Sequence, residues 1–119
     1  IDAINFYKDW FGNNNEKCIV AGDFNNSIIW DKKGNNNNFN NINDHLMGLG
    51  FVSNYHKVEG ETFGEESSAT FFHTKKESKK YHIDYIYSKN LNPLELKVGT
   101  YSEWISYSDH SPLIAEFLI

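Results

Sequence analysis

Three short segments of this chain place acids, an amide and an imidazole where a rigid strand could aim them. Gly22-Asp23-Phe24-Asn25 sets a carboxylate and a carboxamide two residues apart, just past the apolar run Cys18-Ile19-Val20-Ala21. Strand ends are where α/β sheets build sites, because the strand fixes the direction of the side chains that leave it. An ordinary turn uses the same Gly, Asp and Asn. In His82-Ile83-Asp84-Tyr85-Ile86-Tyr87 a carboxylate stands inside an apolar, β-rich stretch. Aspartate is depleted from strands, so Asp84 requires water, a donor, a cation or a metal beside it. Ser108-Asp109-His110-Ser111-Pro112 precedes the last apolar run. It offers an anionic metal ligand next to a group that titrates near neutral pH, although a surface turn can have the same composition. Each segment alone is ambiguous; together, each abuts an expected strand.

The elements that must position these groups follow from periodicity. Ala3, Phe6, Tyr7 and Trp10 recur at helical spacing and predict a helix over 1–11, stopped by Gly12 and three asparagines. Residues 18–21 read as a strand buried on both faces, 35–41 as an asparagine-rich surface loop. Ile42, Leu46 and Leu49 predict a second helix, ended by Gly48 or Gly50. The period then shortens towards two, which predicts strands over 51–58, 70–74, 82–87, 94–98 and 113–119. Within 82–87, Ile83, Tyr85 and Tyr87 share one face, and His82, Asp84 and Ile86 the other. The expected architecture is α+β: about one mixed β-sheet with helices on one face, the opposite face left for something else to cover.

Size and composition bound the answer further. At 119 residues the chain is at most one domain, and 39% hydrophobic with 16% aromatic residues is a globular composition. The formal charge is −5 and all 11 basic residues are lysines. That balance argues against a simple electrostatic nucleic-acid binder, yet a divalent cation can supply the missing positive charge at a phosphate. The single Cys18 excludes an internal disulfide and reads as a small core residue. No run approaches the ~18 apolar residues of a membrane span, and no signal-peptide pattern is visible, so the cytoplasm is the default expectation. The chain opens on Ile1 rather than methionine, as a segment of a longer protein would.

Gly-Asp-Phe-Asn, then a strand containing Asp84-Tyr85-Ile86, then Ser-Asp-His-Ser-Pro-Leu before a terminal strand, resembles the ordered C-terminal signature of the endonuclease/exonuclease/phosphatase superfamily. The resemblance covers about residues 19–119 and implies a single partial domain over 1–119, half of a four-layer α/β/β/α sandwich. It implies a metal-dependent phosphoesterase acting on a phosphodiester or phosphomonoester, with DNA or another nucleic acid among the substrates. By the same resemblance, Asp23 orients and deprotonates the attacking water, helped by Asn25. His110 contacts the phosphoryl oxygens, Asp84 accepts a hydrogen bond from that imidazole, and Asp109 ligates Mg²⁺ or Mn²⁺. The superfamily's principal metal-binding glutamate and an upstream asparagine lie in an N-terminal half that nothing here matches. The isolated chain is therefore expected to be weakly active or inert, and its open sheet face to be covered by that half or by another chain. Where an arginine or lysine commonly precedes the middle aspartate by two residues, this chain has His82, so an ion pair there would depend on pH.

Other readings are less favoured. Ser27, Asp84 and His110 occur in the order of an α/β-hydrolase triad, without the Gly-x-Ser-x-Gly elbow. His45, His56, His73 and His82 lack the spacing and cysteines of a structural zinc site. Phe71 and Phe72 read as core and sheet residues, and Tyr101, Trp104 and Tyr107 as loop packing, rather than as stacking platforms. The main alternative is a non-catalytic fragment, or a binding or assembly module of the same fold.

Overall fold

The structure, a computed structural model, describes residues 1–10 and 15–119. Its elements are α1 (Asp2–Tyr7), β1 (Cys18–Asp23), α2 (Phe39–Gly48), β2 (Val52–Ser53), α3 (Asn54–Glu59), β3 (Phe71–Phe72), β4 (Lys80–Tyr81), β5 (Asp84–Lys89), β6 (Asn92–Val98), α4 (Tyr101–Trp104) and β7 (Leu113–Leu118). The fold is α+β, but the expected single mixed sheet is not what forms. A three-stranded sheet β1-β5-β2 stands beside two hairpins, β3-β4 and β6-β7, and every pairing among these strands is antiparallel. For the β3-β4 hairpin the connection explains this: only seven residues, 73–79, separate Phe72 from Lys80, too few for the crossover a parallel pair needs.

The core forms on one face of the three-stranded sheet. Tyr85 and Tyr87 of β5 alternate onto that face, where Phe39 and Leu46 of α2 and Phe51 cover them. Cys18 and Val20 of β1 pack against the same cluster. Both phenols keep their hydrogen bonds on burial: Tyr87 Oη donates to Asn43 Oδ1 at 2.8 Å, and Tyr85 Oη lies 2.9 Å from the His82 carbonyl and 3.1 Å from that of Asn26. Burial pushes both phenols well above the ordinary tyrosine range, so each serves as a fixed donor. The N-terminus of α2 is capped from outside the helix. Asp31 accepts from Phe39 N–H at 2.6 Å and Asn40 N–H at 2.9 Å, a cap worth about 1 kcal/mol.

The opposite face is open. Antiparallel register sets Asp23 opposite Asp84 and Ala21 opposite Ile86, so these residues and Ile19 share the face turned away from the core cluster. Ser88, opposite Ile19, is buried and donates to Asn54 Oδ1 of α3 at 2.7 Å. Ile19 is 51% exposed, which corrects the expectation of a strand buried on both sides: only the alternate residues Cys18 and Val20 of β1 pack against the core cluster. The terminal hairpin also presents Leu94, Ile114 and Leu118 to solvent. No helix is long and apolar enough, among the described residues, to cross a membrane.

Three further expectations change. Residues 51–58 form two residues of strand and then α3, and the three consecutive residues Ser53, Asn54 and Tyr55 are all buried, against the alternation of a strand with one wet face. Gly60 ends that helix in the left-handed region, φ 68°, and Gly50, φ 91°, does the same service just after α2. The asparagine tract is a loop only as far as Asn38, beyond which its last residues enter α2. In 70–74 only Phe71–Phe72 pairs before a 3₁₀ turn closes the hairpin. The first helix ends at Tyr7, and the expected stop at Gly12 lies outside the described residues.

Candidate functional site

Strand pairing alone brings two of the three signal segments together. Asp23, the last residue of β1, faces Asp84, the first of β5. Pairing continues one step further as Phe24 N–H donates to the Ile83 carbonyl at 2.9 Å. The chain then turns sharply: Asn25 takes φ 50° and its N–H donates to Asp23 Oδ1 at 2.7 Å, which fixes that carboxylate and leaves Oδ2 for another partner.

His110 completes the group. Its Nδ1 lies 2.9 Å from Asp84 Oδ2 and 3.1 Å from Oδ1, and its Nε2 lies 3.9 Å from Asp23 Oδ2. A carboxylate accepts only, so Nδ1 carries the proton and Nε2 is left free on the side of Asp23. The separation of 3.9 Å is too long for a hydrogen bond, so both atoms are available to a third group. The ligand atoms of Asp23, Asp84 and His110 lie within 4.8 Å of one another; among the described residues this is the group of acids and imidazoles that could hold a metal ion. Asp84 is the most enclosed of the three, with 17% side-chain exposure against 31% for His110 and 40% for Asp23.

The imidazole is held by a part of the chain that the sequence reading passed over. Thr70 is fully buried, and its Oγ1 accepts from Ile83 N–H at 3.0 Å and Asp84 N–H at 3.1 Å. Its carbonyl accepts from Ser111 N–H at 2.8 Å. One residue therefore ties the start of β5 to the loop that carries His110. Phe72 N–H adds a bond to the Asp109 carbonyl at 2.8 Å, Phe71 bridges to His110, and the Phe71 ring lies 4.8 Å from the imidazole. Phe72 is buried, as a core residue should be, whereas Phe71 forms one wall of the site. A lone threonine before two phenylalanines carries no sequence signal of this role.

The remaining candidates divide. Asn25 sits beside Asp23 with an exposed side chain. Asp109 is half-buried and engages Phe72 through its backbone; its carboxylate is not one of the three clustered groups. A cation held here would thus draw on Asp23, with Asp84 already engaged by His110. Such a sparse oxygen set suits Mg²⁺ or Mn²⁺, which retain waters and share ligands with a phosphate, rather than a fully protein-caged ion. Ser27 is buried and caps a 3₁₀ turn through Ile29 N–H at 3.5 Å, so it forms no triad with His110.

His82 turns inward instead of pairing with Asp84. Its Nδ1 lies 2.9 Å from the Ser68 carbonyl, its ring packs 4.6 Å from Tyr55, and burial lowers its pKa. Nearby, His56 bridges Ser53 Oγ at 2.7 Å and Glu66 Oε1 at 2.9 Å. Desolvation pushes the Glu66 carboxyl up, but the bonds from His56 and from Gly64 N–H outweigh it and hold the group below the usual carboxylate range. A carboxyl with a depressed folded pKa contributes stability above its unfolded pKa and loses it as pH falls through the folded value. Melting curves of the wild type and Glu66→Gln should therefore be well separated at neutral pH and converge as pH falls to about 3. Curves that stay parallel through that range would rule out the linkage.

The chain matches no model of a known protein family and no curated protein, so the arrangement of Asp23, Asp84 and His110 stands on its own geometry.

Proposed function

We propose that this chain carries the catalytic site of a metal-dependent phosphoester hydrolase of the endonuclease/exonuclease/phosphatase type. The observation that carries the reading is the Asp84–His110 hydrogen bond, with the free Nε2 of His110 turned towards Asp23. In this reading Asp23 orients the attacking water and takes its proton while the water oxygen bonds to phosphorus. The bond from phosphorus to the leaving alcohol oxygen breaks, and that oxygen departs from the opposite side. Nε2 of His110 stands within reach of the phosphoryl oxygens, and Asp84 keeps the ring in the tautomer and orientation this requires. Asn25 lies where its carboxamide can bond the phosphate. A bound Mg²⁺ or Mn²⁺ supplies neutralisation of the phosphate and leaving-oxygen charge.

Because the clustered donors are a sparse set, turnover by this chain alone should be slow. The test is hydrolysis of bis(p-nitrophenyl) phosphate at high protein concentration with Mn²⁺, alongside ¹⁵N NMR of the His110 ring during titration with Mg²⁺ and inorganic phosphate. Metal-dependent turnover together with a perturbed Nε2 is the expected result. An Nε2 signal indifferent to both additions would sink the proposal.

A second reading rests on the open sheet face. Ile19, Ala21 and Ile86 are apolar and share the face of Asp23 and Asp84; Ile19 and Ala21 are exposed and Ile86 is half-buried. Such a face favours a chain that works packed against a further polypeptide layer, as a binding or assembly module or as one half of a larger enzyme.

A further inference from the structure

The β3–β4 hairpin joins the candidate site to the most basic stretch of the molecule. Four of the 11 lysines, Lys75, Lys76, Lys79 and Lys80, fall within six residues, and with Glu77 as the only acid there the segment carries +3 in a chain of total charge −5. All four are exposed, and among the described residues none is paired with a carboxylate. The tip that bears them is fixed rather than loose. Thr74 and Lys75 both take left-handed backbone, φ 54° and 57°, a costly choice for residues other than glycine. It is held by His73 N–H to the Lys79 carbonyl at 2.8 Å, Lys79 N–H to the Lys76 carbonyl at 3.0 Å, and Tyr101 Oη to the Lys75 carbonyl at 2.8 Å.

A second and independent feature runs along the same hairpin. The His110 ring lies 4.8 Å from Phe71, Phe71 lies 6.4 Å from its cross-strand partner Tyr81, and Tyr81 lies 5.1 Å from Trp30. Trp30 is 43% exposed and Tyr81 half-buried. A row of rings thus starts at the imidazole and leads outwards beside the lysines. Small phosphate esters need neither feature. A polymer with a phosphate at each step and a flat base between phosphates uses both, the lysines for its backbone and the rings for its bases.

We infer that the β3–β4 hairpin is a binding platform for single-stranded nucleic acid, which makes the substrate of the adjoining site a polynucleotide. The substrate half of this inference rests on the phosphoesterase reading; the binding half does not. The low net charge does not oppose it, since a local cluster attracts a phosphate backbone within a Debye length whatever the total.

The experiment is fluorescence anisotropy of a labelled 20-nucleotide oligothymidylate in EDTA, with Kd measured across a salt series. Replacing all four lysines with glutamine should weaken binding about a hundredfold at low salt. The slope of log Kd against log salt should fall by about 3, the value for four lost phosphate contacts on a single strand. The double variants Lys75→Gln/Lys76→Gln and Lys79→Gln/Lys80→Gln should each remove about half of that slope, which guards against misfolding of the quadruple variant. Trp30→Ala or Tyr81→Ala should weaken binding about tenfold with the slope unchanged. Unchanged affinity and slope in the lysine variants would overturn the inference. So would lysine-dependent binding to phosphatidylserine vesicles with no oligonucleotide binding, which would assign the hairpin to a membrane surface. The assay reads no turnover, so a catalytically silent chain that binds the oligonucleotide would fail the hydrolase reading and leave the platform standing.

Discussion

His110→Ala should abolish metal-dependent phosphodiester hydrolysis, lowering the rate by about a hundredfold to ten-thousandfold, which in a slow enzyme means the rate of buffer. The expectation follows from the placement of the two ring nitrogens. Nδ1 is committed to Asp84 at 2.9 Å, so the ring is held in one orientation and Nε2 is the only atom of the residue free to meet a phosphoryl oxygen. At 31% side-chain exposure the imidazole contributes little to the core, and the variant should melt close to the wild type. Asp84→Asn should lose activity by a comparable factor, since the amide can present its NH₂ to Nδ1 and favour the wrong tautomer. The double variant should be little worse than either single one, as befits residues that act as a unit. Retention of hydrolysis within about twofold in His110→Ala would remove this site from the reaction.

The second large effect is expected far from any reacting atom. Thr70→Val keeps the shape of a buried side chain and deletes the oxygen that accepts from Ile83 N–H and Asp84 N–H. Two buried donors are then left unpaired, at a cost of about 2–4 kcal/mol, and the melting temperature should drop on the order of 10 °C. Thr70→Ser retains the oxygen and should recover most of that loss. Activity should follow the same order, because the Asp84 backbone is released at the place where its carboxylate must meet His110. A Thr70→Val protein that melts like the wild type would show that these two N–H groups find other acceptors.

What could be read from sequence, and what could not, divides by the range of the interaction concerned. Asp23, Asp84 and His110 were recognisable because their residue types are out of place beside apolar runs, and that signal is local. That Asp23 would face Asp84 is a matter of register between strands some sixty residues apart, which no local pattern encodes. The α+β character was legible from the change in period. The division into one three-stranded sheet and two hairpins was not, since it depends on which edges meet. Residues 51–58 misled because Val52 and Ser53 do begin as strand, and only Gly60, the left-handed cap, announces the end of the helix that follows. His82 was expected on the face of Asp84 by strict alternation. The strand begins only at Asp84, so alternation does not reach back to it, and the ring turns into the core. Thr70 had no signal at all, because its role lies in three partners 13, 14 and 41 residues away.

The side-sharing of Ile19, Ala21 and Ile86 with Asp23 and Asp84 has a thermodynamic corollary. Whatever shields those apolar side chains also strips water from the flank of the two carboxylates and lowers the local dielectric. Bare carboxylates resist that transfer, whereas carboxylates neutralised by a cation do not. Shielding and cation uptake would then be reciprocally coupled, each raising the affinity of the other by the same factor. On the proposed phosphoesterase reading, a sheet built this way would link its own completion to the loading of a cation, and would hold the proposed chemistry back until both had happened.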